Sequence, residues 1–147
     1  MLNKAIIGWS EYIDLPEWGI DRLKAKIDTG ARTSALHVES LEKTSNGKVR
    51  FEVVHGTRRN PRRTVVTSKV VKWARVRSSN GHFQLRCFVR TPIQVGPVCK
   101  EVEISLVSRE KMLFRMLIGR KALEHDFLVN VSKRALLTSR HEKESPK

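Results

Sequence analysis

The sequence predicts a mostly-β fold carrying one short helix near its C-terminal end. Apolar and polar residues alternate with a period of two in several runs, and Asn-Gly and Gly-Pro dipeptides punctuate those runs. Helical spacing is confined to two short stretches, Arg32 to Leu36 and Arg120 to His125.

Along the chain, Lys24-Ala25-Lys26-Ile27 alternates and runs into Asp28, and Arg32 to Leu36 is expected to be a helical turn. Ser45-Asn46-Gly47 is a turn signal ahead of the alternating strand Val49 to Val54. His55 to Arg63 (HGTRRNPRR) then reads as a basic loop between strands. Val65 to Val76 is rich in β-branched residues, Ser79-Asn80-Gly81 supplies a hairpin turn, and Phe83 to Thr91 is the return strand. Pro92 and Gly96-Pro97 are expected to end that strand. Glu101 to Val107 alternates again, a helix starts after Gly119, and Phe127-Leu128-Val129 is a late strand. Residues 1–138 read as one domain, and the polar stretch Ser139 to Lys147 as a frayed tail.

Charge is the strongest compositional signal. The 147 residues carry 29 Lys and Arg against 15 Asp and Glu, a net charge of +14 that favours an anionic partner. No apolar run approaches the length needed to span a membrane, and Ala5-Ile6-Ile7-Gly8-Trp9 is too short for the core of a signal peptide. A cytoplasmic location without a membrane partner is therefore expected. Cys87 and Cys99 form no CxxC pair and fit a reducing compartment.

The chemistry points to Ile27-Asp28-Thr29-Gly30-Ala31. A carboxylate that attacks a peptide bond through water must sit at a rigid strand end. Asp28 is placed there as the candidate catalytic acid, Thr29 is expected to hydrogen-bond the turn, and Gly30 admits close backbone approach. Two such carboxylates held together share one proton, because like charges at that distance resist ionising together. Downstream, Met116-Leu117-Ile118-Gly119-Arg120 places two apolar residues before Gly and a helix start. This resembles the second hallmark of retropepsin-like aspartic proteases, whose strand threads beside the Asp turn. Ser79-Asn80-Gly81 falls where that fold has its flap hairpin.

The resemblance extends over residues 5–138. Gly8-Trp9-Ser10-Glu11, Leu15-Pro16, Ala25 to His37, Ser79 to Gly81, Arg109 with Met112, and Leu117 to Arg120 are similar to the bacterial RimB-type family. The resemblance implies a closed β-barrel of the retropepsin (acid protease) type. Its members are often labelled ATP-dependent zinc proteases, yet this sequence has no HExxH, no paired CxxC and no Gly-rich P-loop, so neither a metal nor another cofactor is expected. The family is associated with RimK, a ligase that adds glutamates to a ribosomal protein. That association implies an acidic peptide or polyglutamate tail as ligand, with the ligase or the ribosomal protein as partner.

Two positions depart from the related pattern. Arg32 stands where retroviral relatives carry an acid that pairs with the Arg of the Gly-Arg segment, here Arg120, and Asn130 stands where many members are expected to carry Asp. Arg32, Thr33 and Arg120 are therefore candidates for holding an acidic ligand, along with Ser79, Asn80 and Gly81 of the hairpin. Arg75 and Arg77 alternate on one hairpin strand, and Arg86 and Arg90 on its return, so each pair projects from one face. A basic flap over an aspartic site would select acidic substrates.

Two functional readings follow, with a third behind them. In the first, the chain is an aspartic-type endopeptidase, and its single Asp-Thr-Gly requires a symmetric homodimer. In the second, it is a catalytically silent module that binds acidic tails or regulates the ligase. The third is RNA association through Arg58, Arg59, Arg62 and Arg63, although no aromatic residues interleave with them in the sequence.

Overall fold

The computed structural model describes residues 3–77, 80–108 and 113–138. The first six strands are β1 (Ala5–Ile7), β2 (Ser10–Leu15), β3 (Ile20–Ile27), β4 (Ser34–Lys43), β5 (Lys48–Gly56) and β6 (Pro61–Lys69). They are followed by β7 (Lys72–Arg77), β8 (Phe83–Val95), β9 (Val98–Val107), β10 (Met116–Ile118), the short helix α1 (Arg120–Leu123) and β11 (Phe127–Val129). The mostly-β class with a short late helix is what the sequence predicts.

Hydrogen-bonded neighbours run β10-β3-β2-β8-β9-β4, and β10 also pairs with β4, so six strands close into a barrel. Closure removes the open edges that a flat sheet would expose. β5 and β6 continue outward from β4, β7 pairs with β8, and β1 lies parallel to β11 as a separate two-stranded ribbon. Period-two alternation selects the interior: Leu23, Ala25 and Ile27 of β3 are buried, while Lys24 and Lys26 are exposed. They join Ile13, Leu36, Ile104, Met116 and Ile118 in the core. Fully burying a side chain of this size contributes roughly 2 kcal/mol.

Several sequence expectations are corrected. Arg32 to Leu36 is not helical. From Ser34 onward the chain is β4, parallel to Ile104–Val107 of β9 on one side and antiparallel to Met116–Leu117 of β10 on the other. Five residues are too few to nucleate a stable helix against partners on both edges. Val65 to Val76 is two strands, because the chain changes partner: β6 pairs with β5 and β7 with β8, with Val70 N–H donating to Gly47 and Val71 N–H to Phe88 between them. Pro92 does not end the return strand, which continues to Val95. Pro92 lies opposite Glu101, between the stretch of β8 paired with β7 and Gln94, where β2 pairs. A missing N–H there interrupts no pairing on that second side.

The basic segment 55–63 is largely strand. β5 runs to Gly56 and β6 begins at Pro61, so the hairpin turn is only 57–60, and His55 is buried. The helix after Gly119 ends at Leu123, with His125 at a φ of 77° just beyond it. Arg75 pairs with Leu85 and Ala74 with Arg86, so Arg86 lies on the face opposite Arg75 and Arg77. Ser79, Arg109, Met112 and the tail 139–147 lie outside the described residues. Cys87 is buried and Cys99 exposed, both as free thiols, and burial pushes the Cys87 thiol above its ordinary value. Among the described residues no helix is long and apolar enough to cross a membrane.

Candidate active site

Asp28 follows the last residue of β3, and both neighbouring segments fix its backbone. Ile27 N–H donates to the Trp9 carbonyl at 2.8 Å and Asp28 N–H to the Ile118 carbonyl at 2.8 Å. The chain then turns tightly: Asp28 Oδ1 accepts Gly30 N–H at 3.0 Å, and the Asp28 carbonyl accepts Ala31 N–H at 3.2 Å. Thr29 and Gly30 are exposed and Asp28 is half-buried. The Asp28 carboxylate and the Arg120 guanidinium lock this turn. The Thr29 hydroxyl, which the sequence suggested for that task, forms no hydrogen bond among the described residues, whereas the Thr29 carbonyl accepts from Arg120 Nη1 at 3.1 Å.

The second motif wraps the turn from beneath. Gly119 N–H donates to the buried Ser34 hydroxyl at 3.1 Å. A Cβ on Gly119 would stand 2.6 Å from the Thr33 carbonyl, so only glycine fits where the two chain segments cross. Arg120 N–H donates to the Ala31 carbonyl at 2.8 Å and Lys121 N–H to the Arg32 carbonyl at 3.0 Å. The first N–H groups of α1, which no helix can satisfy internally, are thereby spent on holding the Asp turn. Ser34 was not singled out from the sequence. Its signal was slight: a small polar residue entering an alternating run just after the Asp turn.

The other candidate residues are distributed as follows. Arg32 is exposed, Thr33 half-buried, and Arg120 is committed through Nη1 to Thr29 of its own chain rather than to an acid. Asn130 accepts Ser132 N–H at 3.0 Å and the Ser132 hydroxyl at 2.7 Å, so this position caps a turn and does not brace an arginine. Arg75 and Arg77 share a face of the β7–β8 hairpin, their guanidinium carbons 4.6 and 5.1 Å from the centre of the Phe83 ring. Asn80 and Gly81 are exposed beyond them.

Of the other acids, Asp126 accepts Lys100 Nζ at 2.5 Å, and no second carboxylate is bonded to Asp28 among the described residues. Nor do any three of His, Cys, Asp and Glu gather there as a metal site. His37 is buried with Nε2 3.2 Å from Glu39 Oε2. The Arg63 guanidinium, and after it His37, hold the Glu39 carboxyl below its ordinary value.

In the sequence Glu11 stands out only as part of Gly8-Trp9-Ser10-Glu11. It is 1% exposed, and its two oxygens accept the N–H groups of Gly8, Leu136, Leu137 and Thr138 and the Thr138 hydroxyl. The signal was its place in β2: Glu11 shares the inward parity of Ile13 and Leu15. It ties the last described segment of the chain to the barrel.

Residues 6–140 match the family described as "RimB-like: Retropepsin-like aspartic endopeptidase RimB". The chain belongs to this RimB-like family. Curated relatives include proteins named "probable alpha-L-glutamate ligase" from Shewanella pealeana, 37% identical over 135 residues, and Desulfotalea psychrophila, 34% identical over 134 residues. These matches cover 88% of this chain but only 29% and 28% of the relatives, so this RimB-like chain spans less than a third of their length. A crystal structure of a Legionella pneumophila protein of unknown function superposes with a TM-score of 0.75 at 22% identity, covering 92% of this chain and 99% of that one. That likeness shows that the two chains share a fold.

Proposed function

We propose that this chain is a retropepsin-type aspartic peptidase acting on acidic, glutamate-rich peptides as a homodimer that brings two copies of Asp28 together. The observation that carries the reading is the Asp28 turn. It is clamped between Ile118 and Arg120, with Oδ1 bound to Gly30 and Oδ2 uncommitted among the described residues. In the dimer one carboxylate takes a proton from water while the other, protonated, donates to the scissile carbonyl oxygen. The water oxygen bonds to the carbonyl carbon, the C–N bond breaks, and the departing nitrogen takes a proton.

Arg32 beside the turn, Arg75 and Arg77 on the hairpin and the +14 net charge favour a carboxylate-rich substrate. The longer relatives that contain a segment like this one are named probable alpha-L-glutamate ligases, which favours a glutamate chain as substrate and a RimK-type ligase or its ribosomal-protein product as partner. A second reading, a silent module that holds acidic tails, draws on the absence of a second carboxylate bonded to Asp28 among the described residues.

Asp28→Asn separates the two. In the peptidase, cleavage of a glutamate-rich peptide by the variant falls by about 10³-fold, the scale of losing an acid–base group, while peptide binding persists. Equal cleavage by variant and wild type removes the peptidase reading. Full activity from a strict monomer in sedimentation removes the two-carboxylate mechanism.

A further inference from the structure

Around the side of the barrel, a cleft of about 910 Å³ is lined by β2, β3, the β5–β6 turn and the chain entering β10. Its lining includes neither the Asp28 turn nor Arg120. Among the described residues, six of its lining are cations (Arg22, Lys24, Arg58, Arg62, Arg115 and Arg134) and one, Asp21, is an acid. Trp9, Tyr12 and Phe114 lie among them. The sequence separates these aromatics widely from the basic hairpin, whereas the fold brings them together.

Cations and rings are paired. The Arg22 guanidinium lies 4.1 Å from the centre of the Tyr12 ring, Lys24 Nζ 5.5 Å from that of Phe114, and the Arg134 guanidinium 6.0 Å from that of Trp9. Phe114 and Trp9 meet edge to face at 6.0 Å. A bulge between Ile13 and Leu15 places Arg22, whose φ is +52°, beside Asp14, whose Oδ1 accepts Arg22 N–H at 2.9 Å. Such a φ is disfavoured for a residue with a Cβ, and bulges are used to re-aim side chains. Both terminal nitrogens of Arg22 are buried without a hydrogen-bond partner among the described residues.

We propose that this cleft binds single-stranded nucleic acid. Each nucleotide offers one negative charge and one flat π surface, and each ring–cation pair offers the complement to both. An acidic peptide would match the cations but present nothing flat to the rings. A double helix would present phosphates but hide its base faces. Arg58 and Arg62 extend the positive surface along the β5–β6 turn, where further phosphates would lie. Arg63 on the same hairpin is instead paired with Glu39 and Glu52 and is no part of the cleft. The proposal is independent of any activity at Asp28.

Fluorescence anisotropy of the full chain with short labelled oligouridylate and oligothymidylate tests it. Binding of either supports the cleft, and a preference between them tells whether the sugar hydroxyl is read. Tyr12→Leu and Phe114→Leu keep apolar bulk but remove a stacking face, and each is expected to weaken binding about tenfold with the salt dependence unchanged. Arg58→Ala with Arg62→Ala is expected to weaken binding and to flatten the slope of log K against log salt by about 1.4, two phosphate contacts at roughly 0.7 each.

Circular dichroism confirms that each variant is folded before it is compared. Wild-type affinity in all variants overturns the proposal, as does failure of the wild type to bind. Equal affinity for a duplex of the same length reduces the site to bare charge and overturns it. Oligoglutamate binding as tightly as oligouridylate, with the same losses in the ring variants, assigns the cleft to acidic peptides and overturns it too.

Discussion

At the Asp28 turn, the backbone is held from within the chain: Ile118 accepts Asp28 N–H, Ser34 holds Gly119, Gly30 takes one carboxylate oxygen, and Arg120 takes the Thr29 carbonyl. In the cleft that β3 also lines, six cations face a single acid among the described residues, and three of them lean on aromatic rings. The first region is braced by its own chain, with Asp28 Oδ2 left uncommitted among the described residues. The second leaves positive charge to be neutralised from outside. Perturbing the turn should therefore show up as lost stability, and perturbing the cleft as altered binding and titration.

The largest effect is expected at Gly119. A methyl group there would drive into the Thr33 carbonyl at 2.6 Å, and backbone on both sides leaves no flexible side chain to yield. Gly119→Ala should cost about 3 kcal/mol, at the upper end for overpacking, and lower the midpoint of thermal unfolding by roughly 10 °C. Ser34→Ala comes next. It leaves the buried Gly119 N–H without its acceptor, at about 1–2 kcal/mol in a denaturant titration. An unchanged midpoint in both would mean that the crossing of the two segments is not what holds the Asp turn.

Arg58→Ala, by contrast, removes an exposed cleft cation from a hairpin turn and should change stability by less than about 0.5 kcal/mol. If it stabilised the fold clearly more than that, mutual repulsion among the cleft cations would be a significant strain in the free protein.

The same contrast explains what could be read in the sequence. The turn was legible because its chemistry is contiguous: Ile27 to Ala31 and Leu117 to Arg120 are two short motifs, and the fold joins them through Asp28 N–H and the Ile118 carbonyl. The strands were legible wherever one face is buried, as in β3, β5 and β9. Arg32 to Leu36 misled because five residues carry little local pattern, and strand partners on both sides decide their conformation. The cleft was not legible. Residues 9–22, the 57–60 turn and Phe114 are well separated along the chain, and read singly each aromatic resembles an ordinary core or edge residue. Glu11 was hidden for a related reason, since all its donors but Gly8 lie at residues 136–138.

The smallest expected effect is a titration that reports on the cleft's charge. His55 on β5 is 5% exposed, with Nε2 2.7 Å from the Thr64 hydroxyl oxygen. Burial first, then the positive charges of Arg62 and Arg115, hold its imidazole below the ordinary value of 6.5, and Asp21 pulls weakly the other way. With the folded value depressed, the unfolded chain binds more protons between 6.5 and that lower value. Stability is therefore full above 6.5, falls as pH drops through that window, and levels off below it. Arg62→Ala removes the stronger of the two repelling charges, so the His55 ring should titrate at higher pH by NMR and the acid side of the stability curve should flatten. A bound oligonucleotide should move the ring in the same direction, because its phosphates offset Arg62 and Arg115. A His55 titration that ignores both changes would leave burial as the sole cause, and would mean that the cleft's uncompensated charge does not extend to this strand.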